Sequence, residues 1–311
     1  MRESFNRLVE LAMQEPGRDH MRPVIEKELL HYDILFALSE AKLLDTLTFQ
    51  GGTSLRLCHG APRFSEDLDF AGGTNLDVRG LSDIKQCLED YLGARYGLLV
   101  DVSAPKKSDL TEEGTGRGEP GHTRIAKWQV SIQTAPRRRD IPRQRIKVEV
   151  AGIPAYTRTL KSLARNYRFL PDGYSDVLIS VESLDEIMAD KLVSLPSCAR
   201  YVRHRDIWDL RWLKQQGAEI DLAMVIDKVR DYGEAAYLDK LRSMIGRLDE
   251  IVRGAAFKNE MTRFIPRDVQ ARTLDRAGFD AFLATEVKEL LKATQRALEH
   301  PAGTAEDTFR M

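Results

Sequence analysis

Phe49-Gln50-Gly51-Gly52-Thr53-Ser54-Leu55, followed after a short basic loop by Arg63-Phe64-Ser65-Glu66-Asp67-Leu68-Asp69-Phe70, is the stretch that decides the fold. Leu47 to Phe49 is apolar, β-branched and aromatic, which predicts the end of a β-strand stopped by two glycines. Gly51-Gly52 lets the backbone turn sharply and approach a ligand closely. Thr53 or Ser54 is then expected to cap a helix over 54–58, whose first N–H groups lack partners. A helix N-terminus after a glycine turn favours phosphate. Asp67 and Asp69 stand two apart on a second extended segment. Strand alternation puts both carboxylates on one face, roughly 7 Å apart at the backbone. Such a pair suits Mg²⁺ (or Mn²⁺) ions about 4 Å apart, the arrangement of phosphoryl-transfer sites. Each half also has a plain reading: a tight turn, and a solvated strand edge.

The bulk numbers exclude several classes. With 311 residues and 42% apolar content the chain can build one large domain or two ordinary ones. Its net charge of −1 carries no global nucleic-acid signature, so any basic surface must be local. Three scattered cysteines, Cys58, Cys87 and Cys198, form no Cys-x-x-Cys pair. That argues against structural zinc and a disulfide framework and fits a reducing, cytoplasmic setting. No signal peptide and no membrane span are expected.

Along the chain, residues 3–14 and 23–42 read as helices. The second carries Val24, Ile25, Leu29, Leu30, Ile34, Leu35 and Leu38 as a buried stripe, with Pro23 in its first turn. Glu26-Lys27-Glu28 lies near its start, where acids favour the helix dipole. Residues 81–92 predict another helix and 98–102 a strand. Residues 103–122, rich in Lys, Glu, Gly and Pro, read as a surface loop, and their glycines do not follow a strand as a phosphate loop should. Residues 124–133 alternate, with Trp128, Val130 and Ile132 on one face. Pro136 to Arg139 makes a turn. Residues 143–150 return with Ile146, Val148 and Val150 on one face and Arg145, Lys147 and Glu149 on the other. Glu149 is therefore either a third metal-holding carboxylate or a surface acid paired across the hairpin. Arg137, Arg138, Arg139, Arg143, Arg145 and Lys147 form the one dense basic patch, either a solvated face or a rest for a triphosphate or RNA backbone. Trp128 is the only aromatic nearby, which gives thin support for base stacking.

Near residue 181 strands give way to helices. Ser183-Leu184-Asp185-Glu186 reads as a capping box opening a helix that stops at Pro196. Lys191 borders its apolar stripe, as a snorkelling lysine or one aimed at a triphosphate. Asp206 and Asp209 stand i, i+3 on an apolar face and need partners, which nearby arginines could supply. His204 has no ligand partner at helical spacing and reads as structural. Residues 220–298 are helical throughout, and the polar tail 301–311 carries no chemistry.

The order Gly-Gly-Thr-Ser, then Asp-Leu-Asp between apolar residues, resembles the nucleotidyltransferase superfamily. The fuller string resembles its AbiEii/AbiGii toxin branch. Leu184-Asp185-Glu186-Ile187-Met188-Ala189-Asp190-Lys191, Arg205-Asp206-Ile207-Trp208-Asp209-Leu210 and Ile25-Glu26-Lys27-Glu28 carry the same resemblance, in the family's order, across about residues 24–214. The resemblance implies a bilobed α/β (α+β) enzyme. A nucleotidyltransferase-like mixed β-sheet with flanking helices would occupy 1–180, and a helical C-terminal lobe completing the active site 181–311. It implies an Mg-dependent toxin of a toxin–antitoxin or phage-defence system, with a cognate antitoxin and with NTP as substrate. Some members add nucleotides to the tRNA 3′ end. Carried over, Gly51, Gly52, Thr53 and Ser54 form the nucleotide turn, Gly52 and Ser54 cradling phosphate. Asp67 and Asp69 hold metal, and Ser65 sits beside the nucleotide. Lys191 grips the triphosphate, Asp206 acts as a metal-side acid or an orienter of Lys191, and Asp209 is a second acid. Glu149 matches the third acid of the wider superfamily. The acceptor remains open at this level: tRNA or other RNA, a protein hydroxyl, or none at all in a non-catalytic nucleotide-binding module.

Overall fold

The computed structural model describes residues 4–105, 124–136 and 141–300. The chain divides into two units. One comprises Met1–Ser183, Asp231–Gly233 and Asn259–Arg276; the other Leu184–Arg230, Glu234–Lys258 and Ala277–Met311. Every strand among the described residues lies in the first, and the second is helical. The loop read over 103–122 lies outside the described residues from 106 on, as do Arg137, Arg138, Arg139 and the tail 301–311.

In the first unit α1 (Phe5–Met13) and α2 (Arg22–Glu40) precede β1 (Thr48–Gln50), α3 (Gly51–Cys58) and β2 (Leu68–Ala71). Then come α4 (Ile84–Tyr96), β3 (Val100–Ser103), β4 (Ile125–Ile132), β5 (Gln144–Ala151), β6 (Thr159–Ser162) and β7 (Leu178–Val181). They form a mixed sheet in the order β3-β4-β5-β2-β1-β7-β6. The alternation read in the sequence sets its central hairpin: Ala126, Trp128, Val130 and Ile132 on β4 and Ile146, Val148 and Val150 on β5 are all buried. Trp128 is 1% exposed, so it is core and not a stacking platform.

Two strands have no counterpart in the sequence reading. β6 offers one apolar residue, Leu160, and it is exposed. β7 pairs parallel with β1 through Phe49 and Val181 while β2 flanks β1 on the other side. Four-residue strands with one or two inward side chains give too little periodicity to register.

Helix α2 buries the apolar stripe expected of it, and also Glu26, Glu28, His31 and Asp33. Its acids do not serve the helix dipole. Glu26 pairs with Arg22 at 2.8 Å and accepts from Thr134 Oγ1 at 2.9 Å and Gln144 Nε2 at 2.7 Å. Glu28 takes a forked pair of bonds from Arg56, Nε at 2.8 Å and Nη2 at 3.1 Å. Burial alone would drive the Arg56 guanidinium toward losing its proton; Glu28 outweighs this and holds it charged. Asp33 accepts from the hydroxyls of Tyr96 and Tyr174 and pairs with Arg95.

The second unit is built from α5 (Leu184–Ser197), α6 (His204–Gln215), α7 (Leu222–Asp231), α8 (Tyr237–Arg253), the start of α9 (Ala255–Thr262) and α11 (Phe279–Glu299). The short α10 (Arg267–Arg272) belongs to the first unit, as does Phe264, whose carbonyl accepts from Phe64 N–H at 2.9 Å. Helices α8 and α11 pack together, with Leu241, Met244 and Leu248 on the first and Leu283, Val287 and Leu291 on the second buried. Helix α5 runs through Pro196 to Ser197 instead of stopping before it. At its start Ser183 N–H donates to Thr157 Oγ1 at 2.8 Å. Glu186 pairs with Lys228 at 2.8 Å, both side chains fully buried.

Two outcomes follow from these buried charges. Glu28→Ala strands Arg56 in the core and lowers stability by about 3–5 kcal/mol, whereas replacing both residues by Met recovers most of it; urea unfolding of the full chain measures both. His31 and His59 are each pushed down to about 4, chiefly by burial. Both stay neutral in the folded chain at pH values where the unfolded chain already takes up protons. Stability therefore falls as pH drops from about 6.5 toward about 4. Melting temperature against pH reads this slope, and His31→Gln flattens it.

Candidate active site

The glycine turn and the acid pair meet through the register of two strands. β1 and β2 are antiparallel with Gln50 opposite Asp69. The next residue, Gly51, stands at φ +75°, where an L side chain is strained. A Cβ there would lie 2.9 Å from Asp69 Oδ2, so conformation and space both require glycine. A Cβ on Gly52 would lie 2.7 Å from Arg63 Nη2 and 3.0 Å from Ser65 Oγ.

Helix α3 begins at Gly51, three residues earlier than the sequence suggests, with Gln50 at the cap position and no side-chain cap bond. Thr53 and Ser54 are not caps. Thr53 Oγ1 donates to the Asp67 carbonyl at 2.5 Å, and Ser54 Oγ donates to the Gly51 carbonyl at 2.8 Å. Both hydroxyls are buried and committed to backbone. What this turn offers an anion is the backbone N–H set of the helix start.

Asp67 and Asp69 alternate with buried Leu68 and Phe70 and are half-buried on the opposite face. β2 runs parallel to β5 with Asp69 opposite Glu149, so the three acids share one face. Two are drawn into ion pairs. Asp67 accepts from Lys147 N–H at 3.2 Å and lies 3.6 Å from Lys147 Nζ, and Glu149 pairs with Lys127 at 2.7 Å. Asp67 is the main reason the Lys147 ammonium is held above the usual lysine range. Among the described residues no three His, Cys, Asp or Glu side chains converge closely enough to hold a metal ion. Asp67 and Asp69 supply hard oxygen donors on one face beside the glycine turn, a donor set that fits Mg²⁺ or Mn²⁺. Glu149 is next in register but is engaged by Lys127.

Three residues beside these acids went unassigned in the sequence. Arg63 is buried against Gly52, its Nη1 donating to the Phe64 carbonyl at 2.7 Å. His31 Nε2 lies 3.0 Å from the Glu66 carbonyl, and Lys27 Nζ pairs with Glu66 at 2.7 Å. Arg63 stands inside the quoted motif, so its place in sequence carries a signal; His31 sits on an apolar helix stripe and gives none.

A second constellation belongs to the helical unit. Lys191 on α5 is 5% exposed and lies 2.9 Å from Asp206 and 2.8 Å from Asp209 on α6. It neither snorkels nor stands alone. Asp206 also accepts from Ser194 Oγ at 2.9 Å and from Arg203. Burial pushes the Asp206 carboxyl up, but Arg203 and Lys191 together hold it well below the usual carboxylate range. The i, i+3 acids thus find their partners, one of them the lysine itself. His204 makes an edge-on contact with Phe257, ring centroids 5.7 Å apart, as a structural residue should. Among the described residues, the predicted site residues are therefore gathered into one group on the sheet and one between α5 and α6.

The family model described as nucleotidyl transferase AbiEii toxin, type IV TA system, matches residues 33–285, a span that takes in both constellations. Among solved structures the chain is similar to MenT4, a nucleotidyltransferase toxin from Mycobacterium tuberculosis H37Rv. The identity is 19% and the TM-score 0.54, with 96% of each chain covered. It is also similar to JHP933 from Helicobacter pylori, at 17% identity and a TM-score of 0.48, over 89% of this chain and 94% of that one. No curated protein matches the chain at a significant level. The MenT4 likeness is one of fold, a mixed sheet with flanking helices. No helix among the described residues is long and apolar enough to cross a membrane. With four-fifths of its length matched, the chain belongs to the AbiEii family of nucleotidyltransferase toxins of type IV toxin–antitoxin systems.

Proposed function

We propose that this toxin transfers a nucleoside monophosphate from an NTP to an RNA acceptor, the 3′ end of tRNA, in the cytoplasm and under the control of a cognate antitoxin. The observation that carries the reading is the contact of Gly51 with Asp69, which sets an acid pair beside a helix start built for phosphate. The acceptor 3′ oxygen attacks the α-phosphorus in line, a P–O bond forms, and pyrophosphate leaves with the electrons of the bond that breaks. Bound at Asp67 and Asp69, Mg²⁺ supplies stabilisation of charge on the attacking and leaving oxygens. The N–H groups of Gly52 and its neighbours bind phosphate, and Ser65 lies beside the nucleotide. In the helical unit Lys191, Asp206 and Asp209 act as one ion-paired group, the two acids fixing the direction of the ammonium.

Incubation with each labelled NTP, Mg²⁺ and total tRNA tests this directly. Label should enter RNA from one or more NTPs. Asp69→Asn should lower the rate by on the order of a thousandfold, the scale on which single transition-state-stabilising groups act. Label that resists ribonuclease and runs with protein would move the acceptor to a protein hydroxyl.

Gly51→Ala separates the site from the backbone when set beside Gly60→Ala. Both glycines have positive φ, +75° and +80°, but a Cβ at Gly60 meets nothing within 4 Å. Each variant should lose about 1–2 kcal/mol of stability. Only Gly51→Ala should lose transfer activity, because its methyl group displaces Asp69. Equal activity in the two variants would refute the close-contact role.

A further inference from the structure

A pocket of about 490 Å³ is lined by Lys27, Pro142, Arg143, Gln144 and Arg145. Its frame is fixed. Gln144 is buried and donates to Glu26 Oε2 at 2.7 Å, and Lys27 is tied to Glu66 at 2.7 Å. Its charge is not consumed: among the described residues Arg143 and Arg145 carry no ion-pair partner, and both are exposed. Two arginines and a lysine against one glutamate leave a concave, cationic surface that suits a phosphate diester.

The sheet says which phosphate. β1 and β5 flank β2 on opposite sides, about 10 Å apart at the usual strand spacing. The glycine turn continues from β1, and the pocket is built on the start of β5. Lys147, two residues on from Arg145, touches Asp67. The acid pair therefore lies between the glycine turn and the pocket. In-line transfer requires the attacking oxygen and the leaving pyrophosphate on opposite sides of the α-phosphorus. If the glycine turn takes the triphosphate, the acceptor strand must arrive from the pocket side.

We propose that the pocket of Lys27, Arg143 and Arg145 holds a backbone phosphate of the acceptor RNA, just upstream of the attacking 3′ hydroxyl. This rests on the RNA-acceptor reading given above and adds where the acceptor strand lies and which cations grip it.

The test is the double variant Arg143→Ala/Arg145→Ala, whose exposed sites leave the core untouched. Binding of fluorescently labelled tRNA is measured over a salt series, and binding of Mg-NTP by calorimetry. Loss of one phosphate contact should flatten the log–log salt slope by about 0.7–0.9 and weaken RNA affinity at low salt. Mg-NTP affinity should stay at the wild-type value. A wild-type protein that binds tRNA alongside a double variant with the same affinity and slope overturns the pocket assignment alone. A variant that loses Mg-NTP affinity overturns it in favour of a triphosphate site. A wild-type protein that binds no RNA overturns the RNA-acceptor reading and this assignment with it.

Discussion

The carboxylate of Asp69 occupies the space in which any residue but glycine at position 51 would carry its Cβ, 2.9 Å away. That single contact joins what look like two separate motifs. The left-handed backbone at Gly51 turns the chain from β1 into α3, and the antiparallel register places Asp69 beside Gln50, the residue before the turn. Thr53 then reaches back to the Asp67 carbonyl, so the helix start and the strand entry are bonded at a second point. A strand, a turn, a helix and an acid pair thus behave as one rigid piece. Rigidity matters because anion-binding N–H groups and metal-binding oxygens are useful only when their spacing is set before the ligand arrives.

Three consecutive residues of α2 brace that piece from behind. Glu26 bonds Thr134 and Gln144, which flank the turn between β4 and β5. Lys27 holds Glu66 at the entry to β2, and Glu28 holds Arg56 in the last turn of α3. Successive helical residues point about 100° apart, so one turn reaches three elements. Buried ion pairs of this kind add little net stability over well-packed apolar residues. What they specify is register: the hairpin, the β2 entry and α3 each meet α2 at one position, because a shift leaves a buried charge without its partner.

Much of this was legible in the sequence, and the exceptions have physical reasons. The β4–β5 hairpin showed because eight-residue strands alternate long enough to reveal a buried face. The acid pair and glycine turn showed because glycine has few substitutes at positive φ. β6 and β7 were silent, since pairing with a neighbour and not side-chain pattern makes them strands. Thr53 and Ser54 misled because a hydroxyl near a helix start serves a cap or a tertiary bond equally well; here both bond to carbonyls. Glu186 carries a partner that its spacing from Ser183 does not reveal, the fully buried Lys228. Which partner a buried polar group takes is decided by the tertiary fold, and sequence spacing constrains only the local choices.

Lys191 shows how the same ambiguity resolves in the helical unit. One turn from Ile187, it could have snorkelled to water or stood as a cation. Instead Asp206 and Asp209 both lie within 3 Å of its ammonium, and Arg203 and Ser194 complete the shell around Asp206. Asp206 also sits in the first turn of α6, where the helix dipole favours a negative charge. Two carboxylates face the Lys191 ammonium and the Arg203 guanidinium, and Asp209 also acts on the Arg211 guanidinium. The burial of Lys191, Asp206 and Asp209 is tolerable because each faces an opposite charge. Removing any one member unbalances the rest, so the lysine cannot be read as a lone anion hook. It is a cation whose direction is fixed by its acids.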